Sequence, residues 1–459
     1  MMITKVSGLN YCPKAVGGAI FKGANEPEKP YIIKDVSDPK VGEKKILTFK
    51  DPKYAGLSVL ITPETVCTDA SGSQISFKGV SAPVSFGGQV WGSIANNEKG
   101  QGMARAYDEF FDKNMKMAIQ PSLSAGKIKD DYNFFVPSDG DGTRYRDIAT
   151  LQGGMTKPAS FIPAKLNGEP MRLIHGILAN FSKTGKLEND AQFVEVEPAK
   201  GSAFALLEGL KNGNIPTDKP IVFSWGDNFS DIDISKLILE HEKQRGEAGN
   251  SGMTIIAIPV DEQKVRALSA MKLNNFEDKA LTNFVEKPQG DVREYCFDEL
   301  EGQIPSAVGP YIIAKPVLQW LKEEYSANPD KFEDKDRPEE GYKGKGFDFS
   351  SKILTPLVEE FDKGTFKDEN GNSMKMRAKI IEKDETWSDL GAQKDFSFEM
   401  YRIKAGTAYH NMLPEIKETI ASNIDDRGNI AFNEKAQKLL SQVQQEYGLT
   451  FENAIVWAG

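Results

Sequence analysis

The feature of this sequence that most constrains its fold is an alternation of short apolar runs with longer amphipathic segments, which begins near residue 131. The apolar runs at 133–136, 193–196, 221–224, 254–258 and 283–288 predict strands. The segments at 172–181, 202–210 and 234–245 predict helices. Strands that alternate with helices are typical of a mostly parallel sheet covered on both faces. We therefore predict an α/β fold built on a mostly parallel, mixed sheet.

The chain on either side of this region has a different character. Before it, β-leaning runs at 31–33, 45–49 and 57–61 precede a predicted helix at 104–118. After it, amphipathic segments at 413–422 and 434–447 predict helices that serve packing or assembly. We divide the chain into a β-rich N-terminal extension of unknown role (1–130), a central domain (131–402) and a helical C-terminal appendage (403–459).

Chain length bears on the number of hydrophobic cores, and net charge bears on the kinds of partner the protein can bind. With 459 residues, the chain is longer than one hydrophobic core usually supports. Its formal net charge of −10 argues against nucleic acid or an anionic membrane as the main partner, because both attract an excess of Lys and Arg. No apolar run is long enough to cross a bilayer, and the first residues lack the apolar core of a signal peptide. We expect a cytoplasmic protein that binds neither nucleic acid nor membrane, and a homo-oligomer stays open.

Cysteine and histidine are scarce. Cys12, Cys67 and Cys296 are far apart and form no C-x-x-C pair. We therefore expect free, buried thiols rather than a zinc site or a disulfide framework. The three histidines disfavour a His-based triad or a multi-His metal site, and we expect them to be structural or solvent-facing.

A Gly/Asp turn, residues 138–144, follows the first predicted strand of the central region. Small residues in such a turn let backbone N–H groups approach a polyphosphate, and Arg144 with the later Lys157 can neutralise its charge. The residues available for this cradle are Gly140, Asp141, Gly142 and Thr143. Because turns of this composition are also common on protein surfaces, the turn by itself leaves both interpretations open.

Two aspartates stand where apolar runs end. Asp227 follows the run at 221–224, and Asp389 lies in the segment WSDLG at 387–391. Ligands of such sheets gather at the carboxyl ends of strands, and Mg²⁺ takes hard oxygen ligands. Two carboxylates brought together from distant strands therefore predict a Mg²⁺ site, although each aspartate alone also fits a turn or a helix cap.

Two further motifs have a structural interpretation beside a functional one. Glu286, Lys287 and Pro288 offer a carboxylate for sugar hydroxyls beside an ammonium for a phosphate, but they also form an ordinary loop start. The small residues at 201–205 begin a predicted helix. They either let a nucleobase lie against the backbone or let helices pack closely.

Taken in chain order, these motifs resemble those of the sugar-1-phosphate nucleotidyltransferases, the nucleoside-diphosphate-sugar pyrophosphorylases. The family's GGxGTR turn resembles residues 139–144, and its KP element resembles residues 157–158. Its GTA, GD and EKP elements resemble 201–203, 226–227 and 286–288, its G-x-Y strand resembles 309–311, its DFG-like element resembles 348–350, and its W-x-D-x-G resembles 387–391. The resemblance covers roughly residues 131–402, and the shared order is more specific than any single motif.

The resemblance implies a Rossmann-like, mostly parallel mixed sheet with helices on both faces, the nucleotide-diphospho-sugar transferase fold. It implies a Mg²⁺-dependent enzyme that joins a nucleoside triphosphate and a sugar-1-phosphate into a nucleoside-diphosphate sugar and pyrophosphate. The implied roles are catalysis for Arg144, Lys157, Asp227 and Lys287; nucleotide binding for Gly140, Asp141, Gly142, Thr143, Glu195 and Gly201; sugar binding for Glu286, Gly309 and Tyr311; and Mg²⁺ ligation for Asp227 and Asp389. A phosphate nucleophile is already ionised at neutral pH. The protein would therefore act by aligning the two anionic substrates and by stabilising the charge at the reacting phosphorus.

The chain departs from the family's pattern at several points. Asp139 stands where the family has its first turn glycine, and a carboxylate there repels triphosphate oxygens unless Mg²⁺ or Arg144 intervenes. Glu195 lies near the place of a base-reading glutamine, and an ionised carboxylate accepts but does not donate. The segment between Gly185 and Gln192 is short, as if a strand and a helix were missing or supplied elsewhere, for instance by the N-terminal segment.

Two alternatives therefore stay open. One is a catalytically silent relative that binds a nucleotide or sugar nucleotide as a regulatory or assembly subunit. The other keeps the chemistry but uses a phosphorylated alcohol other than a sugar as the acceptor.

Overall fold

The structure is a computed structural model that describes most of the chain from residue 88 onward and several short strands before it. The described residues are 31–35, 45–50, 57–61, 66–68, 74–75, 88–139, 156–197, 200–201, 203–245, 251–333, 347–390, 393–424, 438, 441–443, 445–447, 450–452 and 455–458. Most of the Gly/Asp turn, residues 140–144, and half of the predicted helix at 434–447 lie outside these ranges.

The strands are numbered along the chain. They are β1 Tyr31–Asp35, β2 Lys45–Phe49, β3 Leu57–Ile61, β4 Val66–Thr68, β5 Gln74–Ile75, β6 Gly88–Ala95, β7 Asn133–Pro137, β8 Phe161–Leu166, β9 Glu169–Arg172, β10 Leu187–Val196, β11 Ile221–Phe223, β12 Asn228–Ser230, β13 Ser251–Val260, β14 Ser269–Leu273, β15 Leu281–Glu286, β16 Ile304–Ile313, β17 Lys375–Ile380, β18 Trp387–Asp389, β19 Thr450–Glu452 and β20 Ile455–Ala458.

The α-helices are numbered in the same way. They are α1 Glu98–Asp112, α2 Leu173–Ser182, α3 Phe204–Lys211, α4 Ile234–Arg245, α5 Glu262–Val265, α6 Lys315–Ala327, α7 Thr355–Asp362, α8 Gln393–Lys404 and α9 Pro414–Asn423. A π-helical turn, Ser350–Leu354, leads directly into α7. Among the described residues, no helix combines the length and the apolar character needed to cross a membrane.

A seven-stranded sheet forms the centre of the described chain, in the order β10-β6-β7-β11-β16-β13-β17. Neighbouring strands pair in parallel except at β16, which runs antiparallel to β11 and β13. This confirms the predicted mixed α/β architecture with a mostly parallel sheet. The parallel strands all end at one edge of the sheet, which is where ligands of such folds gather.

Side chains that alternate along the strands supply two separate cores. Phe134 and Val222 belong to the core on one face, whereas their neighbours Phe135 and Phe223 belong to the core on the other. Helices α1, α2, α4, α8 and α9 contribute to the first core, and α3, α6 and α7 contribute to the second. Because helices cover both faces, the inner strands are buried almost throughout, and this explains their near-continuous apolar sequence.

The first 130 residues contribute to this central sheet. Strand β6 lies between β7 and β10 and pairs in parallel with both, and α1 follows it. The N-terminal segment thus supplies a strand and a helix to the central fold. It is one of the sources that the sequence suggested for elements missing from the central region. The boundaries at 130 and 402 stay a prediction.

Helix α1 differs from the predicted 104–118. It begins at Glu98, because the Asn97 side chain accepts hydrogen bonds from the N–H groups of Lys99 and Gly100. Its first turns contain Gly100 and Gly102, which lower helix propensity and hid this start in the sequence. The predicted end is a separate 3-10 turn, Met115–Ala118.

The C-terminal region is only partly helical, in contrast to the predicted appendage. Helix α9, predicted at 413–422, docks on the β8–β9 hairpin, which was not predicted, through hydrogen bonds from the N–H groups of Asn167 and Gly168 to the Glu415 carboxylate, both 2.9 Å. The final strands β19 and β20 pair antiparallel with β4 and β3 of the N-terminal segment. Strands of three and four residues are too short to show a periodic pattern in the sequence. Their partner strands are hundreds of residues away, so no nearby hairpin indicated them either.

Candidate active site

A cavity of about 290 Å³ lies at the edge where the parallel strands end. Its lining includes four residues that the sequence singled out, Asp227, Glu286, Tyr311 and Asp389. Two larger cavities, of about 570 and 530 Å³, lie elsewhere and contain none of these residues in their walls. Chemistry rather than volume therefore selects the smaller cavity as the candidate site.

Asp227 and Asp389 are brought together by a short two-stranded ribbon. Strand β12 pairs antiparallel with β18, with Asn228 opposite Asp389. The N–H group of Leu390 donates to the carbonyl of Asp227 over 3.3 Å. Backbone pairing thus places the two aspartates side by side, although 162 positions (389 − 227) separate them in the sequence.

Gly226 allows Asp227 to lie close to the end of β7. A Cβ atom at Gly226 would lie 2.8 Å from the carbonyl oxygen of Pro137 and 2.9 Å from Oγ of Ser138. Backbone oxygen at that distance leaves no room for a side chain, so any larger residue would push Asp227 away from the sheet edge. The Gly-Asp pair is therefore a packing requirement as well as a motif.

Lys157 reaches the two aspartates from a different segment. Its Nζ lies 2.5 Å from Oδ2 of Asp227 and 4.0 Å from Oδ1 of Asp389. The lysine side chain is 8% exposed, whereas the aspartate side chains are 32% and 41% exposed. The sequence prediction that these three residues share one site is consistent with this geometry.

The turn that carries Lys157 is held by the start of helix α2. The N–H groups of Leu173 and Ile174 donate to the carbonyl oxygens of Ser160 and Pro158 at 2.8 and 2.9 Å. The guanidinium of Arg172 donates to the carbonyl of Ala159 at 2.7 Å. The backbone beside Lys157 is therefore held by the first N–H groups of helix α2, which have no hydrogen-bond partner within the helix.

Arg172 is itself fixed by a buried ion pair. Its Nε and Nη2 atoms donate to the two carboxylate oxygens of Glu109 on α1, at 2.8 and 2.9 Å. Both side chains are 1% exposed. Two parallel hydrogen bonds of this kind determine the direction of the guanidinium as well as its position.

On another wall of the cavity, Glu286 lies near Asp348, and both residues contribute to the lining. Burial, and after it the negative charge of Asp348, raise the pKa of Glu286 above its ordinary value. The Nζ of Lys287 lies 3.1 Å from Oε1 of Glu286, and the lysine side chain is mostly exposed. The hydrogen bond from Lys287 opposes the rise in the Glu286 pKa.

Tyr311 closes the inner wall of the cavity beside an aromatic cluster. Its ring contacts those of Phe223, Trp225 and Phe349, with centroids 5.8, 6.3 and 5.1 Å away. Burial raises the pKa of the Tyr311 hydroxyl well above its ordinary value. Gly309 lies two residues earlier on β16 and is not part of the lining, but a Cβ atom there would lie 2.9 Å from the Tyr311 ring.

Glu195 and Gly201, the residues predicted to read the base, lie outside the lining of this cavity. Glu195 is exposed near the end of β10, at one edge of the sheet. At Gly201, φ is +107° and a Cβ atom would lie 2.4 Å from the backbone nitrogen of Phe347. Gly201 thus satisfies a close-packing requirement, and a role for either residue in base binding stays a prediction.

Asp139 is turned into the protein. It is 6% exposed, and its Oδ1 accepts a hydrogen bond from Oγ of Ser93 on β6 at 2.5 Å. Burial raises the pKa of Asp139, and the bond from Ser93 partly offsets this. The cradle residues Gly140, Asp141, Gly142 and Thr143, and Arg144 after them, lie outside the described residues.

The side chains of the cavity offer oxygen ligands, which suit a hard cation such as Mg²⁺, Mn²⁺ or Ca²⁺. Four carboxylates line it, Asp227, Glu286, Asp348 and Asp389, and hard oxygen donors of this kind suit Mg²⁺. Across the described ranges, no group of three or more His, Cys, Asp or Glu side chains is arranged to hold a metal. Mg²⁺ usually takes only one or two carboxylates and completes its shell with water and phosphate oxygens, so Asp227 and Asp389 are the residues that could hold it.

Several lining residues were not predicted as site residues. Asp348 was recognised only as part of a helix-start motif, and its Oδ1 accepts from the N–H group of Ser351 at 2.8 Å. Trp225 and Trp387 also contribute to the wall. Each tryptophan stands two residues before a predicted aspartate, Asp227 or Asp389. That proximity was the sequence signal from which their place in the cavity wall could have been predicted.

The histidines and Cys296 are not part of the cavity wall. His175 and His241 are fully buried, with hydrogen bonds to the carbonyl of Ala106 and to Oγ1 of Thr254. Cys296 is exposed, which corrects the expectation of a buried thiol at that position. It follows a 3-10 turn on the surface, where no core strand or helix buries it.

Comparisons with known proteins give little similarity. No family model matches the sequence, and no curated protein matches it. Among solved structures, the chain is similar to a Bacillus anthracis protein described as a glucose-1-phosphate thymidylyltransferase, solved in complex with sucrose. The identity is 12% and the TM-score is 0.33, over 71% of this chain and 96% of the other. Values this low bear on neither the fold nor the function of this chain, which rest on its own residues.

Proposed function

We propose that this chain is a Mg²⁺-dependent nucleotidyltransferase that joins a nucleoside triphosphate and a sugar-1-phosphate. The products would be a nucleoside-diphosphate sugar and pyrophosphate. The observation that carries the proposal is the convergence of Lys157, Asp227 and Asp389 at the cavity that Glu286 also lines. These side chains come from four distant segments, which makes a chance gathering of surface charges a poor explanation.

The charge of the cavity supports a role for a cation. Four carboxylates line it, and Lys157 and Lys287 form ion pairs with three of them, Asp227, Asp389 and Glu286. Polyphosphates would be repelled by this arrangement unless positive charge is added. Bound Mg²⁺, held by Asp227 and Asp389, would supply that charge and polarise the phosphate oxygens.

The chain's own residues would align the two substrates. Lys157 and Lys287 would hold phosphate groups, and Glu286 would accept hydrogen bonds from sugar hydroxyls. A sugar phosphate is already ionised at neutral pH, so its attack on the α-phosphorus requires no general base. Arg144 would add a second charge on the triphosphate, as the sequence resemblance implies.

The objection raised by Asp139 is weakened. Its carboxylate is buried against Ser93 and is not part of the cavity wall. A carboxylate bonded inside the core repels a bound triphosphate less than one that faces it. The hypothesis of a catalytically silent relative therefore loses one of its sequence arguments.

The test is a substrate panel. The protein is incubated with Mg²⁺, each common nucleoside triphosphate and a set of sugar-1-phosphates. Pyrophosphate release is followed continuously and products are identified by mass spectrometry. We expect release with at least one pair, and none when EDTA removes the metal. Nucleotide binding without release for any pair would instead identify a silent binding protein, and release with a phosphorylated alcohol alone would redefine the acceptor.

A further inference from the structure

We propose that Lys157 is an exchangeable counter-ion, which occupies the carboxylate pair of Asp227 and Asp389 until a divalent cation binds and is then released to hold a phosphate group. The inference rests on the proposed function, because it concerns the same two carboxylates. It adds a coupling between metal and phosphate binding that neither the motifs nor the proposed reaction requires.

The position of the ammonium is the first argument. Its Nζ is 2.5 Å from one Asp227 oxygen and 4.0 Å from one Asp389 oxygen, so it lies within reach of both carboxylates. A Mg²⁺ ion takes carboxylate oxygens at about 2.1 Å. Because the ammonium and the cation would compete for the same oxygens at short range, their mutual repulsion opposes simultaneous occupation.

The second argument is that only the side chain needs to move. The turn at 156–160 is fixed by the N–H groups of Leu173 and Ile174 and by the Arg172 guanidinium. The lysine stem is a flexible four-carbon chain whose ammonium can change partners without a change in the backbone. Exchange therefore costs no rearrangement of the fold.

The third argument concerns where the released ammonium goes. Within the described part of the chain, the ion pairs of Lys157 are those with Asp227 and Asp389. Once a cation neutralises both carboxylates, a phosphate is the natural partner for the freed charge. Cation binding and phosphate binding should therefore strengthen each other, and the strengthening must be reciprocal.

The experiment measures cation affinity without any nucleotide. Mn²⁺ serves as the probe, titrated into wild-type protein, Lys157→Met and Lys157→Gln, with free Mn²⁺ read by electron paramagnetic resonance. We expect both variants to bind Mn²⁺ at least about tenfold more tightly than wild type, because the competing charge is gone. The matched control is Lys272→Met, which removes a positive charge that lies 2.6 Å from Glu294, outside the cavity wall, and should change the affinity by less than about twofold.

A second arm uses inorganic triphosphate in the presence of saturating Mn²⁺. We expect weaker triphosphate binding by the Lys157 variants than by wild type, in the opposite direction to the metal effect. Circular dichroism establishes that each variant is folded. A wild-type crystal grown with Mn²⁺ provides a measurement without mutation, in which the Lys157 Nζ should lie more than 4 Å from Asp227.

The outcomes separate this inference from the proposed function. If wild-type protein binds Mn²⁺ and the Lys157 variants bind it no more tightly, the exchange is wrong while the metal site stands. If neither wild type nor variants bind Mn²⁺, the exchange and the metal part of the proposed function both fail. Binding by the variants alone supports the exchange, since it means that the lysine excludes the metal.

Discussion

At the residue scale, the candidate site is a set of opposite charges whose members have unequal burial. Lys157 is nearly buried, while Asp227 and Asp389 remain about one-third or more exposed. A buried ammonium needs its carboxylate partners, but partly exposed carboxylates retain access to water and to a ligand. The pair is therefore open on the side where substrate and metal would arrive.

Replacement of Asp227 by Asn tests whether the partly exposed aspartates bind a metal rather than support the fold. We expect Asp227→Asn to lower turnover at least about 100-fold, because a neutral amide is a poor Mg²⁺ ligand. The free energy of unfolding should fall by only about 1 kcal/mol, since Asp389 stays within 4.0 Å of the ammonium. Pyrophosphate release and urea denaturation measure the two effects.

The control for Asp227→Asn is Asp298→Asn, at an exposed position outside the cavity wall. It removes the same charge and should leave both turnover and stability close to wild type. Full turnover by Asp227→Asn would contradict the metal assignment. A large loss of stability would instead mean that Asp227 mainly supports the fold.

Part of this site could be predicted from the sequence because most of its members are charged residues near strand ends. Asp227, Glu286, Tyr311 and Asp389 all line the cavity that the motifs implied. The direction of a side chain could not be predicted. Asp139, expected to face the phosphates, is bonded instead to Ser93, since the choice depends on which strand lies beside β7.

At the element scale, the site is assembled by short connections rather than by long elements. The β12–β18 ribbon joins the two aspartates, and the turn before β8 delivers Lys157. The turn is anchored through Arg172 to Glu109 on α1, so a helix from the N-terminal segment supports the site. Sequence patterns revealed the long strands, whose apolar runs are continuous. They missed the ribbon and the β8–β9 hairpin, whose few residues carry no periodicity.

The buried pair of Arg172 and Glu109 should be costly to break. We expect Glu109→Gln to lower the free energy of unfolding by about 3–5 kcal/mol, because it leaves the guanidinium charge buried without a counter-ion. The double variant Glu109→Leu with Arg172→Met should recover much of that loss, since an apolar pair needs no charge compensation. Denaturation in urea measures all three proteins.

The matched control for this pair is Glu262→Gln. Glu262 pairs with Arg266 one helical turn later, with both side chains exposed, and its loss should cost no more than about 0.5 kcal/mol. If Glu109→Gln costs as little as Glu262→Gln, the buried pair does not hold the turn that carries Lys157.

At the scale of the whole molecule, buried titratable groups couple stability to pH in opposite directions. Among the residues that the structure describes, burial raises the pKa of four carboxyl groups. These groups bind protons more readily in the folded state, so they favour folding as the pH falls. They are Asp139, Asp231, Glu286 and Glu385. Burial also lowers the pKa of His175 to about 3 from 6.5, which works against folding as the pH falls.

The neutral form of His175 is required by its contacts. Its Nδ1 accepts a hydrogen bond from the N–H group of Arg172 at 3.1 Å, so the other ring nitrogen, Nε2, donates to the carbonyl of Ala106 at 2.7 Å. Protonation of Nδ1 would break the first bond and place a charge in a fully buried site. The unfolded chain takes up this proton below pH 6.5, whereas the folded protein does not until about pH 3.

Lowering the pH from 7.5 to 5 should therefore reduce the free energy of unfolding by about 2 kcal/mol through His175. This is the amount expected for a group that takes up a proton only in the unfolded state over that range. His175→Asn keeps an acceptor for the Arg172 N–H group but cannot titrate, so this contribution should vanish while the four carboxyl groups act as before. Urea denaturation at both pH values gives the difference, with His410→Asn at an exposed histidine as the control that should retain the wild-type dependence. An unchanged pH dependence in His175→Asn would contradict the burial of a neutral histidine, and with it the packing of α1 against α2 that fixes the Lys157 turn.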